Sequence, residues 1–366
     1  MILYRDGNFN FIEIFNQETG TLFRSGIIED GVDSHQAPHM RAFPELIDVG
    51  IMGSCHAASS GMCREFGVDC YQNAHVHSAK NLSIERYKLI LEQCRRKAFQ
   101  IVLGGAGDPI KHEKFHEILK LTRREGIVPN LTTSGFELTD FEAEIISHYC
   151  GAVAVSYYSR LDSSLNETNR ISAMAIEKLT KSGCIVNIHF VLSKDTVYDA
   201  ILRLTHDLFP KNINGVVFLL YKSIGEGKKE NAINATNENY LKLFHIIQDK
   251  KFDYRIGFDT CQAPAIIKHC DSIDINSIEL CESGRFSMYV DHNFKAFPCS
   301  FARYDPMFDL DLNRMSILDA WTSDAFSEFR TKQANLCTHC HVKNCFGCAL
   351  DDGVNICGNI QEVTQI

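Results

Sequence analysis

The chain has no run of 18 or more apolar residues, so no membrane-spanning helix is expected from it. It also lacks a basic excess. Its 37 Lys and Arg stand against 46 Asp and Glu, a net charge of −9, and no long block carries one sign. That balance gives no general reason to expect a nucleic acid or anionic-membrane partner. The opening Met1-Ile-Leu-Tyr-Arg-Asp-Gly-Asn lacks the basic and apolar blocks of a secretion signal, so the cytoplasm is the expected location. Internal repeats and low-complexity stretches are absent too. What is abundant is cysteine, 15 residues of 366. A long chain without an export signal is a poor case for disulfides, which leaves metal binding, redox catalysis or buried thiols.

Spacing separates these cases. Cys94, Cys150 and Cys184 stand alone within helix or strand patterns and read as core or half-buried thiols. The other twelve fall in residues 55–70 and 261–357. Cys55, Cys63 and Cys70 occupy one short loop. Three thiolates can hold three irons of a four-iron cluster and leave the fourth open to a substrate. Cys337, Cys340, Cys345, Cys348 and Cys357 form a dense CxxC-type run, with Cys261, Cys270, Cys281 and Cys299 upstream. A structural zinc needs only four thiolates. These nine suffice for two four-thiolate clusters, and both readings stay open on spacing alone.

Residues 1–45 read as a short β-rich lead-in. Residues 46–258 alternate strand and helix. Strands are expected at Leu46–Met52, Phe99–Leu103, Val128–Leu131, Ala152–Val155, Cys184–Leu192, Val216–Tyr221 and Tyr254–Phe258. Helices are expected at 83–95, 112–124, 139–148, 170–182, 196–207 and 237–249, the first capped by Ser83. Such alternation implies right-handed crossovers and a parallel sheet. The expected class is α/β, a partial (β/α)6 TIM-like barrel, with residues 259–366 forming a small cysteine-rich domain. Ligands of such sheets sit at the carboxyl ends of the strands. The three-cysteine loop follows the first strand, Gly104-Gly105-Ala-Gly107-Asp108-Pro109 the second and Thr132-Thr133-Ser134-Gly135 the third; Ser156 ends the fourth. All converge on one rim. The glycine turn lacks P-loop and dinucleotide spacings, so it is either a tight turn needing φ > 0 or a close approach to a ligand. Asp108 is suited to holding an ammonium group there.

On these motifs the chain resembles the radical S-adenosylmethionine (SAM) superfamily. Its cysteine gaps are seven and six residues, against three and two in the usual family loop. The eight extra residues are expected to bulge between the cysteines, with Gly61 and Gly67 allowing the bends. The resemblance implies that Cys55, Cys63 and Cys70 hold a [4Fe-4S] cluster. It implies that Gly104, Gly105 and Asp108 bind the SAM amino group, with Ser134 on the neighbouring turn and Ser156 near the carboxylate. Asn187 and His189 would lie by the ribose, or be polar residues satisfied within the sheet. Asp69 stands where the family usually has an aromatic.

The C-terminal cysteines, with Trp321 and Phe329-Arg330, resemble the SPASM auxiliary-cluster module. It implies an outer cluster on Cys337, Cys340, Cys345 and Cys357. The inner one would use Cys281, Cys299 and Cys348, with Cys261 a fourth ligand. The implied activity is reductive SAM cleavage to a 5′-deoxyadenosyl radical, followed by hydrogen abstraction from a ribosomally made peptide to give a thioether or carbon–carbon cross-link. The implied partners are that peptide and a flavodoxin- or ferredoxin-like one-electron reductant. A sulfatase-activating type of maturase and a non-catalytic iron–sulfur or zinc scaffold are the alternatives. No general acid or base is assigned; His35, His39, His75 and His77 lie near the loops.

Overall fold

The computed structural model describes residues 1–234, 236–270, 273, 278–336 and 348–350. Five short strands come first: β1 (Ile2–Asp6), β2 (Phe11–Phe15), β3 (Leu22–Arg24), β4 (Ile28–Glu29) and β5 (Val32–Asp33). The first three form an antiparallel sheet and the last two a separate pair. The alternating region follows as β6 (Leu46–Met52), α1 (Met62–Glu65), α2 (Ile84–Cys94), β7 (Gln100–Gly105), α3 (Phe115–Arg124), β8 (Val128–Thr133) and α4 (Asp140–Tyr149). It continues as β9 (Val153–Ser156), α5 (Ile171–Lys181), β10 (Val186–Leu192), α6 (Val197–His206), β11 (Gly215–Leu220), α7 (Glu238–Asp249) and β12 (Arg255–Phe258). The remaining elements are α8 (Ala263–His269), β13 (Ser287–Val290), β14 (Lys295–Phe297), β15 (Leu310–Asp311), α9 (Ile317–Trp321) and α10 (Asp324–Asn335).

Strands β6 to β12 lie side by side in chain order and run parallel. On its other edge β6 pairs in parallel with β13 rather than with β12, so the barrel stays open. The antiparallel pairs β13–β14 and β14–β15 extend the same sheet. This is the α/β partial barrel expected from the alternation. Local chemistry starts its helices where the pattern placed them. The Ser83 side chain accepts from Arg86 N at α2, Thr139 and Glu142 form a capping box at α4, and Asn237 accepts from Tyr240 N at α7.

Side chains alternate across each strand. Ile188, Phe190 and Leu192 are buried in one core with Ile176, Leu179, Ile201 and Leu204 of the flanking helices. Asn187, His189 and Val191 are half-buried on the opposite, inner face. By the same alternation Asp48 and Asn130 face inward. The barrel interior is therefore polar and its helix side apolar.

A buried charge network joins the N-terminal strands to this sheet. Arg24 reaches Glu13 at 3.0 Å, Glu45 at 2.8 Å, Glu279 at 3.1 Å and Glu282 at 3.5 Å. Fully buried Arg41 lies 2.8 Å from equally buried Glu13, and its guanidinium sits 3.6 Å over the Tyr4 ring. Burial, then repulsion from Glu279, pushes the Glu282 carboxyl up to about 8. Removing Arg41 would leave fully buried Glu13 with Arg24 as its remaining cation among the described residues, a half-compensated buried charge. Arg41→Met is thus expected to cost about 3–5 kcal/mol in urea unfolding. The Arg41→Met, Glu13→Gln double variant is expected to recover most of that loss; a double variant no more stable than the single one would contradict the pairing.

Candidate functional site

The carboxyl end of β6 leads into the three-cysteine loop. The extra residues between the cysteines fold into two short helical turns. One is a 3-10 turn, Ala58–Ser60, closed by Gly61 at φ +66°; the other is α1, after which Gly67 turns the chain at φ +72°. Both glycines adopt the left-handed conformation that other residues rarely take. Buried Met62 and Phe66 anchor the inserted turns to the protein. The Cys63 carbonyl accepts from Val68 N at 3.0 Å, and the Cys70 carbonyl accepts from Glu226 N at 3.0 Å. The glycine turn after β7 packs directly on this loop. A Cβ on Gly107 would lie 2.1 Å from Ser54 O and 2.9 Å from Cys55 Cα.

The three thiols act on one another. Burial pushes the Cys55 thiol up, and the Cys70 and Asp108 charges raise it further. Burial likewise pushes Cys63 up to about 11, with Cys70 and Cys55 adding to the rise. Cys70 is raised by burial as well. Gathered thiols that oppose one another's ionisation suit a cationic metal centre, because coordination deprotonates a thiol outright. His75 backs this group. Its Nε2 lies 3.7 Å from Cys63 Sγ and its Nδ1 3.0 Å from Glu226 Oε2, while Glu226 also pairs with Arg64. Ligand atoms of Cys70, His75 and Glu226 lie within 4.8 Å of one another. His35, His39 and His77 are exposed.

Asp108 is buried at the end of β7. Its Oδ2 accepts from Thr133 Oγ1 at 2.8 Å and from both the backbone N and Oγ of Ser134 at 2.7 Å. Burial raises its pKa, and the Ser134 and Thr133 hydrogen bonds hold it down. Among the described residues, Oδ1 accepts one long bond, from Ile110 N at 3.3 Å. Gly105 needs its φ of +127°, and a Cβ there would strike Met52 O at 2.6 Å; a Cβ on Gly104 would meet nothing within 4 Å. Space for a close backbone approach therefore lies at Gly104.

Ser156 ends β9 in register with His189 of β10. Burial pushes His189 down to about 4, against the pull of Asp259, so its imidazole is neutral near pH 7. Asn187 is not at the rim. It lies opposite Gly215, the first residue of β11, and its Oδ1 accepts from Asn214 Nδ2 at 2.8 Å. Of its two readings, the structure places it as an amide satisfied at the amino end of the sheet. Tyr158, absent from the sequence-based candidates, belongs with the loop. Burial raises its hydroxyl pKa, and the Cys63, Cys70 and Tyr71 charges add to this, while a hydrogen bond with Ser156 opposes it. The one available signal was its position two residues beyond that strand-end serine. Asp69 accepts from Tyr221 Oη at 2.5 Å.

A second thiol group lies beyond β12. Burial raises Cys261, with Cys281 and Cys348 adding to the rise. Burial pushes Cys299 up to about 12, again with Cys281 and Cys348 contributing. Cys281 and Cys348 thus bear electrostatically on both Cys261 and Cys299, and Gln333 Nε2 donates to Cys281 Sγ at 3.4 Å. Four thiols fit a four-iron cluster or a zinc ion. Arg330 ties α10 to this group: it donates to the Gly284 and Trp321 carbonyls and lies 4.7 Å over the Trp321 ring. Cys337, Cys340, Cys345 and Cys357 lie outside the described residues. Buried Cys94 and half-buried Cys150 and Cys184 belong to the main core, as does Cys270.

Residues 281–349 match the SPASM iron–sulfur cluster-binding domain. No curated protein matches the sequence. Among solved structures, the fold is similar to that of Streptococcus suis SuiB bound to S-adenosylmethionine, at 14% identity and a TM-score of 0.64, over 89% of this chain and 75% of that one. SuiB bound to the precursor peptide SuiA matches at 14% identity and 0.61, over 80% and 68%. anSMEcpe with bound AdoMet and a Cp18Cys peptide matches at 15% identity and 0.56, over 79% and 83%. The structural matches show a shared fold, and the match over residues 281–349 bears out the expected SPASM module.

Asp48, on the inner barrel face, offers a test of this interior. Burial pushes its carboxyl up to about 7. The folded-state value lies above the unfolded one, so its stability contribution is full below about pH 4 and is lost as pH rises toward 7. Asp48→Asn is expected to raise the melting temperature more at pH 8 than at pH 5. An equal change at both pH values would show that Asp48 is solvated.

Proposed function

We propose that the chain is a radical SAM enzyme that modifies a ribosomally made peptide, installing a thioether or carbon–carbon cross-link. The observation that carries this reading is the meeting of three mutually interacting thiols with the Gly104–Asp108 turn at one rim. A [4Fe-4S] cluster with SAM bound supplies reductive cleavage to methionine and a 5′-deoxyadenosyl radical, the hydrogen-abstracting species.

The residues divide the remaining work. Cys55, Cys63 and Cys70 hold three irons and leave the fourth to SAM. The Oδ1 side of Asp108 takes the SAM ammonium while Ser134 and Thr133 hold the carboxylate in place. Gly104 admits the ligand close to the backbone, Ser156 and Tyr158 lie by the carboxylate, and neutral His189 faces the ribose. Cys261, Cys281, Cys299 and Cys348 hold the inner auxiliary cluster; Cys337, Cys340, Cys345 and Cys357 are assigned to an outer one. The inner face of the barrel orients the substrate and excludes water. The SuiB complex with its precursor peptide and the peptide complex of anSMEcpe support a peptide as the substrate class. The one-electron donor is assigned to the flavodoxin or ferredoxin type, and the location to the cytoplasm; no helix among the described residues is long and apolar enough to cross a membrane.

Anaerobically reconstituted protein given SAM and dithionite is expected to release 5′-deoxyadenosine. The Cys55→Ala, Cys63→Ala, Cys70→Ala triple variant is expected to release none. Fully iron-loaded wild-type protein that makes no more 5′-deoxyadenosine than this variant would sink the enzyme reading.

A further inference from the structure

Lys222 stands just beyond β11 at the carboxyl rim and is only 8% exposed. Its ammonium donates to Asp259 Oδ2 at 2.7 Å and to Leu220 O at 3.1 Å. It also lies 4.7 Å from the centre of the Phe301 ring. Asp259 is two residues before Cys261, and Phe301 two residues after Cys299. Both anchors therefore hold the ammonium beside the segments that carry Cys261 and Cys299. Asp259 Oδ2 holds one side of the ammonium and the Phe301 ring lies on it as well, so its position is fixed by both cysteine-bearing segments.

The same Phe301 ring packs on Tyr71, with centroids 4.9 Å apart, and Tyr71 directly follows Cys70. The Tyr304 hydroxyl donates to the Tyr71 carbonyl at 2.9 Å, and Arg303 bonds Gln72. Lys222, Phe301 and Tyr71 thus form a continuous contact running from the auxiliary thiols to the three-cysteine loop. Among these, Lys222 carries the charge.

We infer that Lys222 sets the inner auxiliary centre to accept an electron, its cation raising the reduction potential of an iron–sulfur cluster on Cys261, Cys281, Cys299 and Cys348. This rests on the proposed radical SAM reading. Reduction adds one negative charge to a centre already ringed by four thiolates. A cation fixed close by, away from water, stabilises the reduced form more than the oxidised one. Cluster potentials respond to local charge and solvent exposure in this way. The electron comes from the product radical in the proposed reaction and from dithionite in the test. Lys222 is a positioning residue here, since it acts through the cluster and not on the substrate. A purely structural ion pair would hold the rim together without moving a potential.

The test is an EPR-monitored redox titration of the full, anaerobically reconstituted chain without substrate. At the wild-type auxiliary midpoint, Lys222→Met is expected to lower the reduced-to-oxidised ratio about tenfold, a 59 mV shift for one electron. Lys222→Arg is expected to keep the wild-type midpoint, and the three-cysteine cluster is expected not to move in either variant. Should Lys222→Met fold poorly because Asp259 is left alone, Lys222→Met, Asp259→Asn is compared with Asp259→Asn, and the same downward shift is expected. An unchanged midpoint at the inner auxiliary cluster, or an equal shift at the three-cysteine cluster, overturns the inference while leaving the enzyme reading intact. Zinc in place of iron on these four cysteines overturns the inference and the auxiliary-cluster reading together.

Discussion

Half-buried thiols that raise one another's pKa ionise together only around a positive centre, and this constraint organises the rim. Cys63, held up to about 11, stays protonated near neutral pH unless a metal takes the proton's place. The same holds for Cys299, held up to about 12. Binding such ions is coupled to folding, because the unfolded chain has no preformed site. The sheet brings the two sets together. One follows β6 and the other runs from Cys261, ahead of α8, to Cys348, yet β6 and β13 are hydrogen-bonded neighbours.

That neighbour relation makes Arg24 and Arg285 important to chemistry they do not touch. Arg24 joins Glu13 of β2, Glu45 beside β6, and Glu279 and Glu282 on either side of Cys281. Arg285 donates to the His39 carbonyl at 2.6 Å and to the Cys281 carbonyl at 3.2 Å. The N-terminal strands therefore brace the auxiliary loop through buried charge. Tyr71 and Phe301 then bring that loop against the first one.

Much of this was legible in the residues. Leu46–Met52 reads as a strand and is β6 to the residue, and the Ser83 cap falls where the periodicity put it. Such features depend on local chemistry, which a linear pattern carries. The bends at Gly61 and Gly67 were legible for the same reason: only glycine takes those φ values cheaply. Features set by distant partners were not. His75 meets Glu226 and Lys222 meets Asp259 and Phe301 only after the sheet curls around them. Asn187 shares a strand with His189, but two residues along a strand move a side chain one layer down, and there Asn214 satisfies it. The parallel pairing of β13 with β6 is likewise a tertiary event that no local signal announces.

The central claim is that the three-cysteine loop presents an open iron to SAM, facing the Gly104–Asp108 turn. Electron–nuclear double resonance on the reduced protein with SAM labelled with ¹⁵N at its amino group tests it most directly. The account predicts a ¹⁵N coupling on one cluster signal, lost in Cys63→Ala and kept in Cys281→Ala. A reduced protein with its clusters fully loaded and no ¹⁵N coupling, or a coupling that survives Cys63→Ala, would contradict it.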